Sequence, residues 1–241
     1  MARRLYSTAF WAFLALTSIA LFPVALVLWA VTLPFDRRKV VLHQFTNLWA
    51  SLYTWVNPLW PVTVEGREKI RRGETYVMVA NHLSLLDILV MHRLLRHFKW
   101  VSKIENFRIP FVGWNMRLNR YIELRRGDRD SVVQMMADCE RTLRSGSSIL
   151  MFPEGTRSRD GTLQAFKTGA FELALRTQTP ILPIAIEGTS NALPKRGFVL
   201  QGHHPIRIRV LDPIPPESFA HLSAKELAEQ TRALYAEQLG S

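Results

Sequence analysis

The 241-residue chain carries 31 lysine and arginine residues against 20 acidic ones, giving a formal net charge of +11 and a pI near 10.4. A balance this basic indicates an anionic partner: nucleic acid, anionic lipid or a phosphorylated substrate. The single cysteine, Cys139, excludes an internal disulfide framework and a cysteine-built zinc site, and its place on an apolar stripe predicts a core residue.

The first predicted element is an uncharged segment of 31 positions, from Leu5 to Phe35. It is longer than the ~20 residues needed to span a bilayer and longer than a signal-peptide core of about 7–15 residues. We therefore expect a retained membrane anchor. A straight helix of this length would measure about 46 Å against a ~30 Å hydrocarbon core, so we expect tilt or a kink at Pro23. The flanking charges do not fix an orientation, and both ends can lie on the same membrane face.

Residues 40–61 predict a second helix, lying at the membrane interface. Apolar residues recur every three or four positions, polar residues face away, and tryptophan and tyrosine, which favour the headgroup level, are frequent. The apolar row is Val41, Phe45, Leu48, Leu52, Val56 and Leu59; the polar face is Gln44, Asn47, Ser51 and Thr54. A soluble amphipathic helix packed on the following domain is the alternative.

From Val62 onward, short apolar runs alternate with helical patterns, which is typical of an α/β domain. We predict strands at 62–65, 75–80, 98–102, 121–124, 148–152, 181–186 and 206–211, and helices at 84–95, 128–144, 169–177 and 223–238. The expected fold is thus α/β, with a central, largely parallel or mixed sheet flanked by helices over residues 62–241 and a helical membrane anchor over residues 1–61.

Three polar clusters follow predicted strands: Asn81-His82, Arg125-Arg126 and the run 153–159. In α/β sheets, ligands collect beyond the carboxyl ends of the strands, so these clusters are candidates for one site.

The first cluster lies in the sequence VANHLSLLD. Ser84 is placed to cap a helix with Asp87 reaching back, and this helix start allows Asp87 to meet His82 on the preceding turn. A neutral histidine bonded to a carboxylate is held in one tautomer and becomes a better base. A purely structural histidine is the alternative for this motif alone.

The loop after the fifth predicted strand, FPEGTRS, has features of an anion site. Gly155 lets backbone N–H groups approach an anion, and Arg157 adds a forked donor that Glu154 can position. Lys167 opens a helix whose N-terminus favours anions. A solvated loop is the alternative, and the spacing of a nucleotide P-loop is absent.

The remaining polar candidates are less specific. Arg125, Arg126 and Lys103 end predicted strands and can equally be solvated. No histidine shows a metal-ligand spacing, so we expect no metal.

Taken in order, these clusters resemble the glycerolipid acyltransferase family, and within it the 1-acylglycerol-3-phosphate acyltransferases. Residues 81–87 match the NHxxxxD motif, 152–158 the FPEGTRS motif and 166–170 the FKxGA run, with PILP at 180–183; the resemblance covers about 64–188. The arginine block departs from the family pattern, because Asn119 and Arg120 stand where a glycine is usual and the nearest glycine is Gly113. This leaves Arg125 and Arg126 both open as the phosphate ligand, with Arg126 favoured.

The resemblance implies an enzyme of phospholipid biosynthesis that acylates lysophosphatidic acid to phosphatidic acid. The donor would be a fatty acyl thioester on coenzyme A or acyl carrier protein, without a further cofactor. His82, oriented by Asp87, would take the proton from the attacking glycerol hydroxyl, and backbone amides near this pair would stabilise the oxyanion. The implied phosphate-binding residues are Arg126, Glu154, Gly155, Thr156, Arg157 and Lys103, and the supporting motif residues are Asn81, Ser84, Pro153 and Lys167.

The implied location is the inner or cytoplasmic membrane, with the catalytic domain facing the cytosol, where acyl thioesters are made. Alternatives keep the chemistry with another acceptor: glycerol 3-phosphate, another lysophospholipid or an acylated amino-acid lipid. Three other functions are less favoured. A thioesterase would not need a phosphate pocket, and a non-catalytic membrane scaffold would not need a paired histidine and aspartate. A nucleic-acid binder would not need a membrane anchor. Acyl-chain length, the donor carrier and the oligomeric state are left open.

Overall fold

The computed structural model describes residues 1–158, 161–193 and 198–240, so Arg159, at the end of the predicted loop cluster, lies outside the described residues. Two long helices come first, α1 (Ala2–Thr32) and α2 (Val40–Trp55). The first is long and apolar enough to cross a membrane, by length and composition. Pro23 lies within α1.

A seven-stranded sheet follows, and all seven predicted strands are present, with ends within two residues of the prediction. They are β1 (Val62–Glu65), β2 (Val77–Ala80), β3 (Phe98–Lys103), β4 (Ile122–Leu124), β5 (Ser148–Met151), β6 (Ile181–Glu187) and β7 (Ile206–Val210). The strand order is β1-β7-β6-β2-β5-β3-β4, with every neighbouring pair parallel except β6 and β7. The predicted α/β class with a largely parallel sheet is confirmed.

The helices agree with the prediction less closely. They are α3 (Leu86–Met91), α4 (Val112–Leu118), α5 (Arg129–Arg144), α6 (Gly169–Thr177), α7 (Thr189–Ala192), α8 (Pro216–Phe219) and α9 (Ala224–Leu239). The helix expected over 84–95 is only a six-residue α3 followed by a 3-10 turn at His92–Leu94. The short helices α4, α7 and α8 were not predicted, because four to seven residues are too few to show a helical period.

Both faces of the sheet are covered, and β2 at its centre shows how. Met78 and Ala80 pack into one apolar core together with residues of α1–α4, whereas Val77 and Val79 pack into another with residues of α5, α6 and α9. Successive strand residues point to opposite faces, so each core takes alternate residues. A strand buried on both sides needs a continuous apolar run, which is what the sequence has here.

Helix α2 contacts the domain through a side that carries both polar and apolar residues. Asn47, Ser51 and Thr54 are buried, whereas Val41 and Leu48 of the apolar row are exposed. Gln44 of the predicted polar face is exposed, and Phe45 and Leu59 of the apolar row pack against the core. The side of α2 that packs on the protein is therefore mixed, with three of the four predicted polar residues beside the apolar Leu42, Trp49 and Tyr53.

Buried histidines lie under α2. His92 contacts the side-chain oxygen of Asn47 through Nδ1 at 2.7 Å and accepts from the indole N–H of Trp100 at 3.4 Å. Burial lowers the pKa of His92 to about 3, and burial together with the charge of Lys99 lowers that of His97 to about 3. These imidazoles are therefore neutral at physiological pH.

These lowered pKa values make folding stability depend on pH. Between pH 6.5 and about 3 the unfolded chain binds protons at His92 and His97 that the folded chain does not. The free energy of unfolding should therefore fall as the pH drops through this range, by about 1.4 kcal/mol per pH unit for each histidine. Urea unfolding followed by tryptophan fluorescence between pH 7 and 4 measures this slope. His92→Gln should reduce the slope of the free energy of unfolding against pH, and the exposed control His221→Gln should leave it unchanged. An unchanged slope in His92→Gln would contradict the lowered pKa of His92.

Candidate active site

The predicted polar clusters meet at one edge of the sheet. His82 follows β2, Gly155 follows β5, Lys103 ends β3 and Arg126 lies just beyond β4, and all of these residues line one cavity. The strands are mutually parallel, so their carboxyl ends share an edge. The fold thus gathers side chains that lie up to 73 positions apart in the sequence.

The centre of this site is a histidine–aspartate pair. Nδ1 of His82 lies 2.7 Å from Oδ2 of Asp87, whose side chain is fully buried. The carboxylate accepts, so the imidazole carries its proton on Nδ1 and leaves Nε2 as a base. The ring stacks on Phe152, with centroids 4.0 Å apart and planes inclined by 10°. The pair has the arrangement of a general base and its orienting acid.

The turn between the two residues forms in a different way from the predicted cap. Helix α3 begins at Leu86, not at Ser84. Asp87 does reach back, because its Oδ2 accepts the backbone N–H groups of Leu83 and Ser84 at 2.7 and 2.8 Å. The Ser84 hydroxyl donates to the carbonyl of Leu193 at 2.6 Å, and it accepts from the N–H of Leu86 at 3.3 Å.

The backbone of His82 is held by the loop that follows β5. Its N–H donates to Oε1 of Glu154 at 2.7 Å, and its carbonyl accepts from the N–H of Ser158 at 2.8 Å. Oε2 of Glu154 accepts the N–H of Gln164 at 3.2 Å. Burial raises the pKa of the Glu154 carboxyl, and the two backbone hydrogen bonds oppose that shift. Both carboxylate oxygens of Glu154, which we predicted to bind phosphate, therefore accept backbone N–H groups, one of them from His82.

Other residues of this loop divide into two groups. Pro153 and Gly155 line the cavity together with Lys167, whereas Thr156 and Arg157 are outside the lining. Gly155 has φ +69, and a Cβ there would lie 2.8 Å from Nζ of Lys167, so the lysine passes directly over the glycine. Of the predicted phosphate-binding residues, Gly155, Arg126 and Lys103 line the cavity.

The two arginines after β4 point to different surroundings. Arg126 is exposed and lines the cavity. Arg125 has Nη1 3.6 Å from Oδ2 of Asp128, and its backbone N–H donates to the hydroxyl of Ser131. Lys103 also lines the cavity, with Nζ 3.2 Å from Oε1 of Glu105. Of the two arginines, only Arg126 is among the residues that line the cavity.

The cavity has a volume of about 760 Å³ and predominantly apolar walls. Its walls come from both faces of the sheet edge: Leu89 and Met116 belong to the core beside α1–α4, and Met135 and Met151 to the core beside α5 and α6. This volume lies within the range of about 300–1,000 Å³ typical of ligand sites. A histidine base, cationic side chains and a long apolar wall in one cavity suit an amphiphilic anion.

Three hydrogen bonds connect the site to β6 and to the start of α7. The side-chain amide of Asn81 accepts the N–H of Ile186 at 2.7 Å and donates to its carbonyl at 2.9 Å. The hydroxyl of Thr189 donates to Oδ1 of Asp87 at 2.6 Å. Thr189 was not predicted; the available signal was that Glu187-Gly188-Thr189 follows one strand as Glu154-Gly155-Thr156 follows another.

The chain is similar in sequence to known acyltransferases. A family model described as Acyltransferase matches residues 61–187. A 1-acyl-sn-glycerol-3-phosphate acyltransferase of Chlamydomonas reinhardtii is 36% identical over 234 residues, which cover 95% of this chain and 68% of the relative. A chloroplastic 1-acyl-sn-glycerol-3-phosphate acyltransferase of Arabidopsis thaliana is 37% identical over 182 residues, 75% of this chain. The chain spans about half the length of this second relative, 51%.

The fold also has a solved counterpart. The crystal structure of the 1-acyl-sn-glycerophosphate acyltransferase PlsC from Thermotoga maritima superposes with a TM-score of 0.77. The match covers 99% of this chain and 98% of the other at 23% sequence identity. At this identity the likeness establishes the shared fold, including the two helices that precede the sheet.

Proposed function

This chain belongs to the acyltransferase family, and on that premise we propose that it transfers a fatty acyl group from a thioester to the free hydroxyl of 1-acylglycerol 3-phosphate, giving phosphatidic acid. The relatives at 36% and 37% identity are named for this acceptor. The observation that carries the proposal is the one cavity in which His82, held by Asp87, faces apolar walls and the cationic Arg126. A lysophospholipid combines a hydroxyl, a phosphate and a fatty chain, and each has a counterpart there.

In the proposed mechanism Nε2 of His82 removes the proton from the acceptor hydroxyl as its oxygen attacks the thioester carbonyl. The tetrahedral intermediate collapses, the C–S bond breaks, and the thiolate leaves and takes up the proton from the imidazolium. Asp87 keeps the imidazole in the required tautomer and stabilises its charged form. The Ser84 hydroxyl is bonded to Leu193 and Leu86, so it is not available as a nucleophile.

We propose that the acceptor phosphate binds to Arg126, with Lys103 and Lys167 as further cations at the same cavity. A guanidinium presents two parallel N–H donors to phosphate oxygens, which makes Arg126 the principal contact. Glu154 takes no part, since it is an acid occupied by backbone N–H groups.

We propose that the donor is an acyl thioester on a phosphopantetheine arm, without choosing its carrier. Coenzyme A and acyl carrier protein both present this group, and the assay below supplies both. Rival acceptors, such as glycerol 3-phosphate, would use the same base and the same cations. A thioesterase would use the base without the cations, and a scaffold would require neither.

Replacing His82 tests the reaction. In detergent, the purified protein should release thiol from palmitoyl-CoA or palmitoyl-carrier protein only when lysophosphatidic acid is present. His82→Ala should lower kcat by about 10²–10⁴ and leave KM nearly unchanged, because a positioned base acts in the transition state. The exposed control His221→Ala should match the wild type. Thiol release without an acceptor would indicate a hydrolase, and no release with either donor and several acceptors would favour the scaffold.

A pair of arginine variants tests the phosphate site. Losing a charge-assisted hydrogen bond costs roughly 1.5–3 kcal/mol, so Arg126→Ala should raise KM for lysophosphatidic acid by about 10- to 150-fold. Arg125→Ala, which breaks only the ion pair with Asp128, should stay within about twofold of the wild type, as expected for an exposed pair. Initial rates at varied acceptor concentration give both values. A silent Arg126→Ala with a costly Arg125→Ala would reverse the assignment.

We further propose that α1 lies along the membrane surface and does not cross the bilayer. Contacts with the domain run along much of its length: Ser7 accepts from the N–H of Leu200, Trp11 donates to the carbonyl of Phe198, and Phe22 packs edge-on against Phe111 and Trp114. A helix held lengthwise against a charged domain cannot stand across hydrocarbon without drawing that domain in. Most of α1 remains unburied, and α2 exposes part of its apolar row, so both can enter one leaflet.

Single cysteines at the two ends of α1 test this orientation. Arg3→Cys and Arg37→Cys in sealed vesicles should both react with a membrane-impermeant thiol reagent added outside, because both ends of an in-plane helix face the same solution. The native Cys139 is buried, so the wild type provides the background. Labelling at only one end, with the other appearing after the vesicles are opened, would establish a spanning helix.

A further inference from the structure

We propose that Thr189 is a positioning residue for the His82–Asp87 pair. Its hydroxyl fixes the rotation of the Asp87 carboxylate and thereby the direction in which His82 presents Nε2. The proposal deepens the function proposed above and rests on it.

The two oxygens of Asp87 are bound by different parts of the chain. Oδ2 receives three donors from the turn, which are the imidazole of His82 and the N–H groups of Leu83 and Ser84. Oδ1 receives the hydroxyl of Thr189 at 2.6 Å, its only donor among the described residues. Asp87 and Thr189 are both fully buried, so bulk water cannot replace that hydroxyl. A carboxylate bonded on both sides cannot rotate without breaking one set of bonds.

The fold delivers Thr189 to this place through β6. This strand lies beside β2, and Asn81, which directly precedes His82, is bonded on both sides to the backbone of Ile186. The chain then turns at Gly188, which has φ +85 and where a Cβ would lie 2.1 Å from the carbonyl oxygen of Pro205. Only glycine fits such a turn. The turn starts α7 with Thr189 directed at Asp87.

A second contact ties the same two segments together. The Ser84 hydroxyl donates to the carbonyl of Leu193, the residue after α7. The segment 189–193 therefore holds the catalytic turn at two points, the carboxylate and the serine. Of these two contacts, only the one from Thr189 is made to the carboxylate that bonds to the His82 imidazole. The contact from Thr189 can therefore affect the base directly, which general packing does not.

Loss of the hydroxyl has two physical consequences. Oδ1 of Asp87 would be buried without a donor, so the carboxylate would be free to rotate, and the direction of the imidazole bonded to Oδ2 would be less well fixed. The carboxylate would also keep more of its negative charge, which favours the protonated imidazole. Thr189→Val should therefore lower kcat and move the acidic limb of the kcat/KM pH profile to higher pH.

The experiment compares Thr189→Val, which is nearly isosteric, with Thr189→Ser, which keeps the hydroxyl. We expect Thr189→Val to lower kcat by about tenfold, with KM for donor and acceptor within about twofold. The acidic limb should rise by about half a pH unit, and Thr189→Ser should restore both values. Thr231→Val is the matched control, because Thr231 is a buried threonine of α9 that does not line the cavity and whose hydroxyl has no partner among the described residues.

Equal losses in Thr189→Val and Thr189→Ser, or a Thr189→Val enzyme with wild-type kcat and pH profile, would overturn the proposal. Because the free energy of unfolding also falls as the pH drops below 6.5, the profile is measured only over the pH range in which far-UV circular dichroism shows each variant to be folded. NMR titration of the His82 imidazole gives a readout that needs no turnover, and its midpoint should move in Thr189→Val and not in Thr189→Ser. An inactive wild type with this NMR shift would contradict the proposed function while leaving the positioning role intact.

Discussion

The site depends on a buried carboxylate beside an imidazole, an interaction that costs free energy unless the charge is fully hydrogen-bonded. Asp87 meets this requirement with four donors, two backbone N–H groups, an imidazole and a hydroxyl. These donors are available only if the turn after β2 is tight and the end of β6 lies against it. The parallel pairing of β2 with β6 and the tie from Asn81 to Ile186 are thus requirements of the chemistry as well as of the fold.

Two carboxylates lie close to His82 and act in different ways. Asp87 contacts the ring and sets its tautomer, whereas Glu154 contacts the backbone N–H and sets the position of the residue. Burial raises the pKa of the Glu154 carboxyl, and its hydrogen bonds from the backbone N–H groups of His82 and Gln164 oppose that shift. The NHxxxxD and FPEGTRS motifs are for this reason one structural unit, because the second supplies the acceptor and donor that hold the backbone of the first.

The sequence predicted the sheet well because its strands carry a strong signal. A strand buried on both faces, such as β2, must be apolar throughout. The carboxyl ends of parallel strands share one edge of the sheet, so the polar clusters that follow these strands come together there. The role of Glu154 could not be predicted in the same way, since an acid in an anion-binding motif gives no sign of whether it faces solvent or backbone. Thr189 was missed because its partner is 102 positions away, and a single threonine after a strand has many ordinary explanations.

Helix α2 shows that the periodicity of a helix does not determine which of its sides faces the protein. Periodicity identifies an apolar and a polar face, but in water the apolar face should turn inward, whereas α2 buries Asn47 and Ser51 and exposes Leu48. The buried polar face is not a defect, because Asn47 bonds to His92 and to the carbonyl of Arg96. Val41 and Leu48 are left outside the protein, and the in-plane arrangement proposed above would place them in a bilayer leaflet. The apolar cavity is lined in part by Trp11 and Trp49 of the same two helices, so under that proposal a lipid acceptor would reach His82 without leaving the membrane phase.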